Sequence, residues 1–302
     1  MISALLIGCG NIGANYDFNS NEVLTYAKAF YLKGIDLTLF DVDLDLSKKV
    51  ASKYDFKYLI SKDEIDYANY AIVCVASSTN THFEYLQEAL KQNVKTIICE
   101  KPISLNNLEL SILEDLYNNS TSKVFVNYIR RFQPVFNELK LEIEKIRKEE
   151  KLIKVIFNYK KGFLNNASHG LDLIEYLLDN KLTLNKYNLL EKEFDFFKND
   201  PTCSFFIKEN DFVLNIIGFS NVDFSVFEMT IYYEKTIFSI MNSGNEVTIK
   251  KQDFVYFHKE NGIKNYMLPI IDLILASNSN QDIKDNFFSS LELNEKMNLM
   301  IH

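Results

Sequence analysis

Ser3-Ala4-Leu5-Leu6-Ile7-Gly8-Cys9-Gly10-Asn11-Ile12-Gly13 opens the chain with a short apolar run that ends in three spaced glycines. The run reads as a first β-strand. The glycines match the dinucleotide fingerprint: the first makes a tight turn, the second lets a pyrophosphate approach backbone N–H groups, and the third allows close helix–sheet packing. A second apolar run, Leu37-Thr38-Leu39-Phe40-Asp41, ends in a carboxylate 28 residues beyond Gly13, placed to accept bonds from adenosine ribose hydroxyls. An acid there favours NAD over NADP, because a 2′-phosphate would meet like charge. Gly8, Gly10, Asn11, Ile12, Gly13 and Asp41 are therefore the first candidate cofactor residues.

From this start to about residue 128, short apolar runs alternate with helical stretches, the pattern of a parallel sheet wrapped by helices. The strands expected are 3–7, 36–40, 70–75, 94–99 and 123–128, with a weaker one at 57–60. Helical spacing of apolar residues covers 44–54, 82–92 and 105–118. After Pro134 a charged helix (135–149) leads into an alternating strand (152–160) and a short helix (168–178) with Ser168 as its N-cap. Strand-like segments of antiparallel character follow at 184–197, 202–208, 212–219, 224–233, 235–243 and 246–251, some separated by turns such as Glu209-Asn210-Asp211 and Ser243-Gly244-Asn245. Helices at 265–276 and 283–300 close the chain. The expected domains are 1–128 and 129–302.

Composition bounds the function. The 302 residues are 47% hydrophobic, enough for two domains that each bury a core. A formal net charge of -8 argues against non-specific nucleic-acid binding, which needs a basic face to displace counterions. No apolar run reaches the about 18 residues of a membrane span, and the amino terminus lacks the basic start of a signal peptide. Four cysteines show no Cys-x-x-Cys spacing, and Cys74, Cys99 and Cys203 lie in apolar runs, so a reducing cytoplasm is expected. No metal site is expected.

Two more stretches carry chemistry. Glu100-Lys101-Pro102 follows the apolar run 94–99, which puts a lysine at the carboxyl end of a strand, where open α/β sheets bind ligands; the proline stops the strand. Ala76-Ser77-Ser78-Thr79-Asn80-Thr81-His82 is a hydroxyl-rich turn after the third strand, placed to line the pyrophosphate or nicotinamide ribose. Taken alone, His82 reads more plainly as part of a capped helix start. Glu100 either pairs with Lys101 or anchors the turn.

With Asn127-Tyr128-Ile129-Arg130-Arg131-Phe132-Gln133-Pro134, these motifs together resemble the glucose-fructose oxidoreductase / inositol dehydrogenase / rhizopine-catabolism family of nicotinamide-dependent sugar oxidoreductases, across essentially the whole chain. Asn165-Asn166-Ala167-Ser168-His169-Gly170-Leu171-Asp172 is a further partial match. The resemblance implies an α/β chain in which an N-terminal Rossmann dinucleotide-binding domain precedes an α+β domain with a large, mostly antiparallel open-faced sheet. It implies that His169 takes a sugar hydroxyl proton while hydride leaves the same carbon for nicotinamide C4, and that Lys101 holds the hydroxyl. Tyr128, Arg130, Arg131, Asn165 and Asp172 are its further candidate substrate residues. The two arginines could receive the phosphates or carboxylate of a substrate, or serve as ordinary salt-bridge partners. It also implies a homodimer or homotetramer assembled through the open sheet face.

Departures from the family pattern refine this. Asn165 stands where many relatives have an aspartate; it cannot ionise but can still hydrogen-bond. Ser78 replaces a proline, which predicts a looser turn, and Ala167 and Ser168 replace glycines. Asn15-Tyr16-Asp17-Phe18-Asn19-Ser20-Asn21 interrupts the first helix, reads as a loop over the cofactor or substrate mouth, and resembles a branch associated with bacterial surface-polysaccharide biosynthesis. A nucleotide-activated sugar is the expected substrate class, with a free polyol or monosaccharide second. A non-catalytic NAD-binding sensor or a structural scaffold are the readings from other classes.

Overall fold

The structure is a computed structural model that describes residues 2–184, 186–209, 211–260, 263, 265–277 and 283–301. Asn210, in one expected turn, lies outside them. The chain divides into two compact units, Met1–Asn127 with Lys264–Glu292 and Tyr128–Ile263 with Leu293–His302.

The first unit is built on β1 (Ser3–Ile7), α1 (Tyr26–Leu32), β2 (Asp36–Phe40), α2 (Leu44–Tyr54), β3 (Lys57–Tyr58), β4 (Ile72–Val75), α3 (Thr79–Lys91), β5 (Thr96–Cys99), α4 (Asn107–Asn118) and β6 (Lys123–Val126). The strands form one parallel sheet in the order β3-β2-β1-β4-β5-β6. β4, β5 and most of β1 and β2 are buried, as expected for strands covered on both faces. The order reverses between β1 and β4, the switch point at which open α/β sheets take their ligands. α3 begins at Thr79, three residues before the expected start, with Ser78 in the N-cap position.

The second unit contains α5 (Pro134–Ile146), β7 (Leu152–Tyr159), α6 (Ser168–Leu178), β8 (Tyr187–Phe197), β9 (Asp200–Lys208), β10 (Val213–Gly218), β11 (Phe227–Tyr233), β12 (Thr236–Met241), β13 (Glu246–Lys251) and β14 (Phe254–Glu260). Its sheet runs β14-β13-β12-β11-β7-β10-β9-β8 and is antiparallel except where β10 pairs β7 in parallel. Alternation decides its faces. Phe227, Met229, Ile231 and Tyr233 of β11 are buried, while Glu228, Thr230 and Tyr232 are half-exposed. β14 escapes the sequence reading because Phe254, Val255 and Tyr256 are all exposed on this edge strand, so no period marks it. α6 lies so close to the sheet that a Cβ at Gly170 would stand 2.2 Å from the Phe157 ring.

The segments α7 (Leu268–Ser277) and α8 (Phe287–Ile301) follow. The expected second domain of residues 129–302 is thus corrected, because Lys264–Glu292 groups with the first unit. The reason is the exposed edge of β6. Asp285 accepts the Val124 N–H at 2.8 Å, and Asn286 both accepts the Val126 N–H and donates to its carbonyl, each at 2.9 Å. Side chains of the returning segment thereby take the place of a seventh strand.

Candidate active site

In the first unit the parallel ladder continues one residue past each strand. Gly8 N–H donates to the Phe40 carbonyl (2.8 Å), Ala76 N–H to Ile7 (2.8 Å), Glu100 N–H to Val75 (2.9 Å) and Asn127 N–H to Cys99 (2.8 Å). The glycine loop, Asp41, the hydroxyl-rich turn and Glu100-Lys101 are therefore brought together along the carboxyl edge of β2, β1, β4 and β5.

Each glycine has its own reason. Gly8 has φ +101°, and a Cβ there would meet the Ala76 and Ser77 backbone at 2.5–2.6 Å. A Cβ on Gly13 would stand 2.0 Å from the Gly8 carbonyl oxygen, whereas one on Gly10 meets no described atom within 4 Å. Gly10 thus faces open space between two crowded glycines, which fits the close approach of a pyrophosphate to backbone. Asn11 and Ile12 begin a single wide turn, Asn11–Asn15. Asp41 accepts from the Cys9 N–H (2.6 Å) and the Asp43 N–H (2.8 Å) and leaves each carboxylate oxygen lone-pair capacity for ribose hydroxyls. Burial, and then Asp41 beside it, pushes the Cys9 thiol up to about 12.

The turn after β4 is tighter than predicted. Ser78 has φ -66°, the value a proline ring would impose, so the missing proline does not change the backbone. Thr81 Oγ1 donates to Ser77 Oγ or to the Ser78 carbonyl, both 2.8 Å away. His82 does not present itself to a cofactor: its ring is 1% exposed, with Nδ1 2.8 Å from the Pro102 carbonyl oxygen and Nε2 3.0 Å from that of Ser77. Burial lowers its pKa, against the pull of the two carbonyls.

Glu100 anchors its turn. Oε1 accepts from Tyr26 Oη (2.7 Å) and Asn127 Nδ2 (2.8 Å), and all three side chains are buried. Lys101 follows, half-buried, with a cis peptide bond to Pro102. The interrupting segment after the glycines folds around Asp17, whose buried carboxylate accepts from the N–H groups of Leu24 (2.6 Å) and Thr25 (2.9 Å) and the Thr25 hydroxyl (2.7 Å). That knot delivers Tyr26 to Glu100. Sequence reading missed Asp17, Tyr26 and the Asn127 side chain as supports, since nothing local marks them.

In the second unit, Tyr128 and His169 meet edge-on, ring centroids 5.8 Å apart at 89°. The loop before α6 is held from a distance. Asp200 accepts from the Leu164 and Asn165 N–H groups, each at 2.8 Å, and fills the space beside Gly162, where a Cβ would lie 2.2 Å from Asp200 Oδ2. A wide turn, Phe163–Ala167, then runs directly into α6. Ser168 is therefore not an N-cap; Ala167 already has helical angles and Asp200 supplies the anchoring acceptor. Asn165 Nδ2 donates to the Lys161 carbonyl at 3.2 Å.

Of the two roles open to the arginines, the structure shows partners inside the chain. Arg131 grips Asp172 with two bonds, Nε to Oδ2 at 3.0 Å and a terminal nitrogen to Oδ1 at 2.5 Å, and Asp172 is 1% exposed. Burial works against the guanidinium charge, but Asp172 outweighs it and the net direction is upward. Arg130 stacks 3.5 Å over the Phe227 ring and donates to the Ser243 carbonyl. Both arginines and Asp172 are committed inside the unit, because a buried guanidinium needs acceptors where water cannot supply them.

Residues 2–128 match the family model described as an oxidoreductase family with an NAD-binding Rossmann fold. This part of the chain is similar to the NAD-binding domain of the Gfo/Idh/MocA oxidoreductase family. It carries that family's NAD-binding fold, in agreement with the resemblance and with NAD as cofactor. Myo-inositol 2-dehydrogenase of Thermotoga maritima is 28% identical over 144 residues; the match spans 46% of this chain and 40% of that protein. Among solved structures, a Gfo/Idh/MocA family oxidoreductase from Vibrio cholerae superposes with TM-score 0.77 at 12% identity, covering 100% of this chain and 97% of that one. UDP-N-acetylglucosamine 3-dehydrogenase from Acidithiobacillus ferrooxidans gives 0.75 at 16%, covering 99% and 96%. An Agrobacterium radiobacter oxidoreductase in complex with NAD+, L-tartaric acid and magnesium gives 0.76 at 13%, covering 99% and 94%. At these identities the Gfo/Idh/MocA likeness of the whole chain is a likeness of fold. No helix among the described residues is long and apolar enough to cross a membrane.

Proposed function

We propose that the protein is an NAD(H)-dependent sugar oxidoreductase acting on a CH-OH group, with a nucleotide-activated sugar in bacterial surface-polysaccharide biosynthesis as its substrate class. The observation that carries the reading is Lys101, set by Glu100 at the same strand edge as the glycine loop, Asp41 and the Ala76–Ser78 turn. The glycine loop, Asp41 and the Ala76–Ser78 turn would hold NAD, which would supply hydride-transfer chemistry at that edge. Gly10 lets backbone approach the pyrophosphate, and Asp41 accepts from the ribose. Lys101 holds and polarises the sugar hydroxyl, His169 takes or returns its proton, and Asn165 positions the hydroxyl without titrating.

Asn165 and the Asp17-centred segment favour the nucleotide-activated sugar. A free polyol is the second reading, favoured by the similarity to a myo-inositol dehydrogenase. Assembly through the open face of the second sheet is part of the proposal. Incubating the protein with NAD and a panel of UDP-sugars, inositol and glucose, followed at the nicotinamide absorbance band, separates these classes. Lys101→Ala and His169→Ala should each lower turnover by about 100-fold or more while NAD affinity stays within a few-fold. Unchanged turnover in both variants removes the mechanism, and NAD binding without turnover of any sugar supports a sensor.

A further inference from the structure

His82 touches two turns that leave different strands. The Ser77 carbonyl belongs to the turn after β4, which packs against Gly8; the Pro102 carbonyl belongs to the turn after β5, one residue beyond Lys101. The ring sits between the two oxygens, at 3.0 and 2.8 Å, on a histidine that is 1% exposed. It is carried on the first turn of α3, whose side chains Tyr85, Leu86, Ala89 and Leu90 are buried, which fixes where its Cβ stands. Both oxygens are acceptors, so the ring bonds both at once only with a proton on each nitrogen; a neutral ring donates to one and turns a lone pair toward the other.

We infer that His82 is a positioning residue that ties the cofactor turn to the lysine turn, so that the backbone beside Gly8 and the placement of Lys101 are set by a single side chain. Two routes of loss follow. Freeing Pro102 loosens Lys101 and acts on the chemical step, whereas freeing Ser77 loosens the turn packed on Gly8 and acts on cofactor binding. The kinetic part rests on Lys101 holding the reacting hydroxyl; the structural part does not.

Asparagine and glutamine separate the two contacts. An asparagine amide nitrogen falls where Nδ1 stands and a glutamine amide nitrogen where Nε2 stands, so His82→Asn keeps the Pro102 contact and His82→Gln keeps the Ser77 contact. His82→Gln should lower kcat by about three- to tenfold, the worth of one hydrogen bond, with NAD affinity unchanged. His82→Asn should weaken NAD binding by about the same factor with kcat unchanged. Amide hydrogen exchange of the substrate-free protein gives a readout independent of turnover: faster exchange at residues 101 and 103 in the glutamine variant only, and at residues 76–81 in the asparagine variant only. Both variants changing both segments alike, or neither segment responding, overturns the inference. Each variant tests its own contact, so one that fails to fold leaves the other to decide. Selective exchange in a protein that oxidises no sugar keeps the tie and refutes the enzymatic reading.

Discussion

Asp41 shows how a single carboxylate is prepared for a ligand. Its position after β2 follows from the strand, but its orientation comes from the Cys9 and Asp43 N–H groups that hold one oxygen each. Asp41→Ala removes an acceptor for the ribose and a like charge that would repel a 2′-phosphate. NAD should bind about tenfold more weakly, consistent with losing charge-assisted hydrogen bonds, and the preference against NADP should narrow. Titrating both cofactors by intrinsic fluorescence measures this, and equal affinities before and after substitution would remove the ribose assignment. Position along the chain identifies Asp41 and Lys101 because both follow strand ends. Partners are harder to read: local sequence does not show that Asp172, 41 residues away, pairs with Arg131.

Elements here are joined by buried acids as much as by apolar faces. Glu150, in the turn between α5 and β7, is 6% exposed and accepts the Lys235 N–H at 3.0 Å and the Thr236 hydroxyl at 2.9 Å, with Lys251 at 3.4 Å. Burial alone would raise its pKa, but these three donors on β12, β13 and the turn before them hold the carboxyl below the ordinary glutamate range. The folded-state value therefore lies below the unfolded one. The stabilisation is present above the unfolded pKa of about 4.3 and is lost as pH falls through the folded value, where protonation favours the unfolded chain. Glu150→Gln should lower the unfolding midpoint at neutral pH and flatten its decline below about pH 5, read by thermal melts across pH. A parallel decline in both proteins would contradict the linkage. Helix and strand types are largely legible from periodicity. β14, the parallel β7–β10 pair and the early start of α3 are not, because exposure at an edge, strand order and capping carry no period.

At the scale of the molecule, the second sheet presents an open face on which Ile156, Thr230 and Ser239 stand in register across β7, β11 and β12. These residues are half-buried within the chain, beside the more exposed Ile217. The proposed assembly pairs this face with a copy of itself, as a two-fold interface would. Light scattering should give at least twice the mass of one chain, and Ile156→Lys, a charge at the centre of that face, should lower it to the mass of one. A wild-type chain that elutes as a monomer at all concentrations would exclude this assembly.

The residues that specify the dinucleotide fold do so through short-range physics: an apolar period for each strand, a glycine where the fingerprint turn needs positive φ or backbone comes too close, an acid at a strand end. Those requirements are met within a few residues, so they can be read in order along the chain. The partners of the buried polar groups cannot. Glu100 finds Tyr26 and Asn127 at separations of 74 and 27 residues, His82 finds two carbonyls from different turns, and Lys264–Glu292 returns to shield β6. Each of these groups loses water on folding and must bond to whatever the tertiary arrangement places beside it, a choice made by distance in space and not along the sequence.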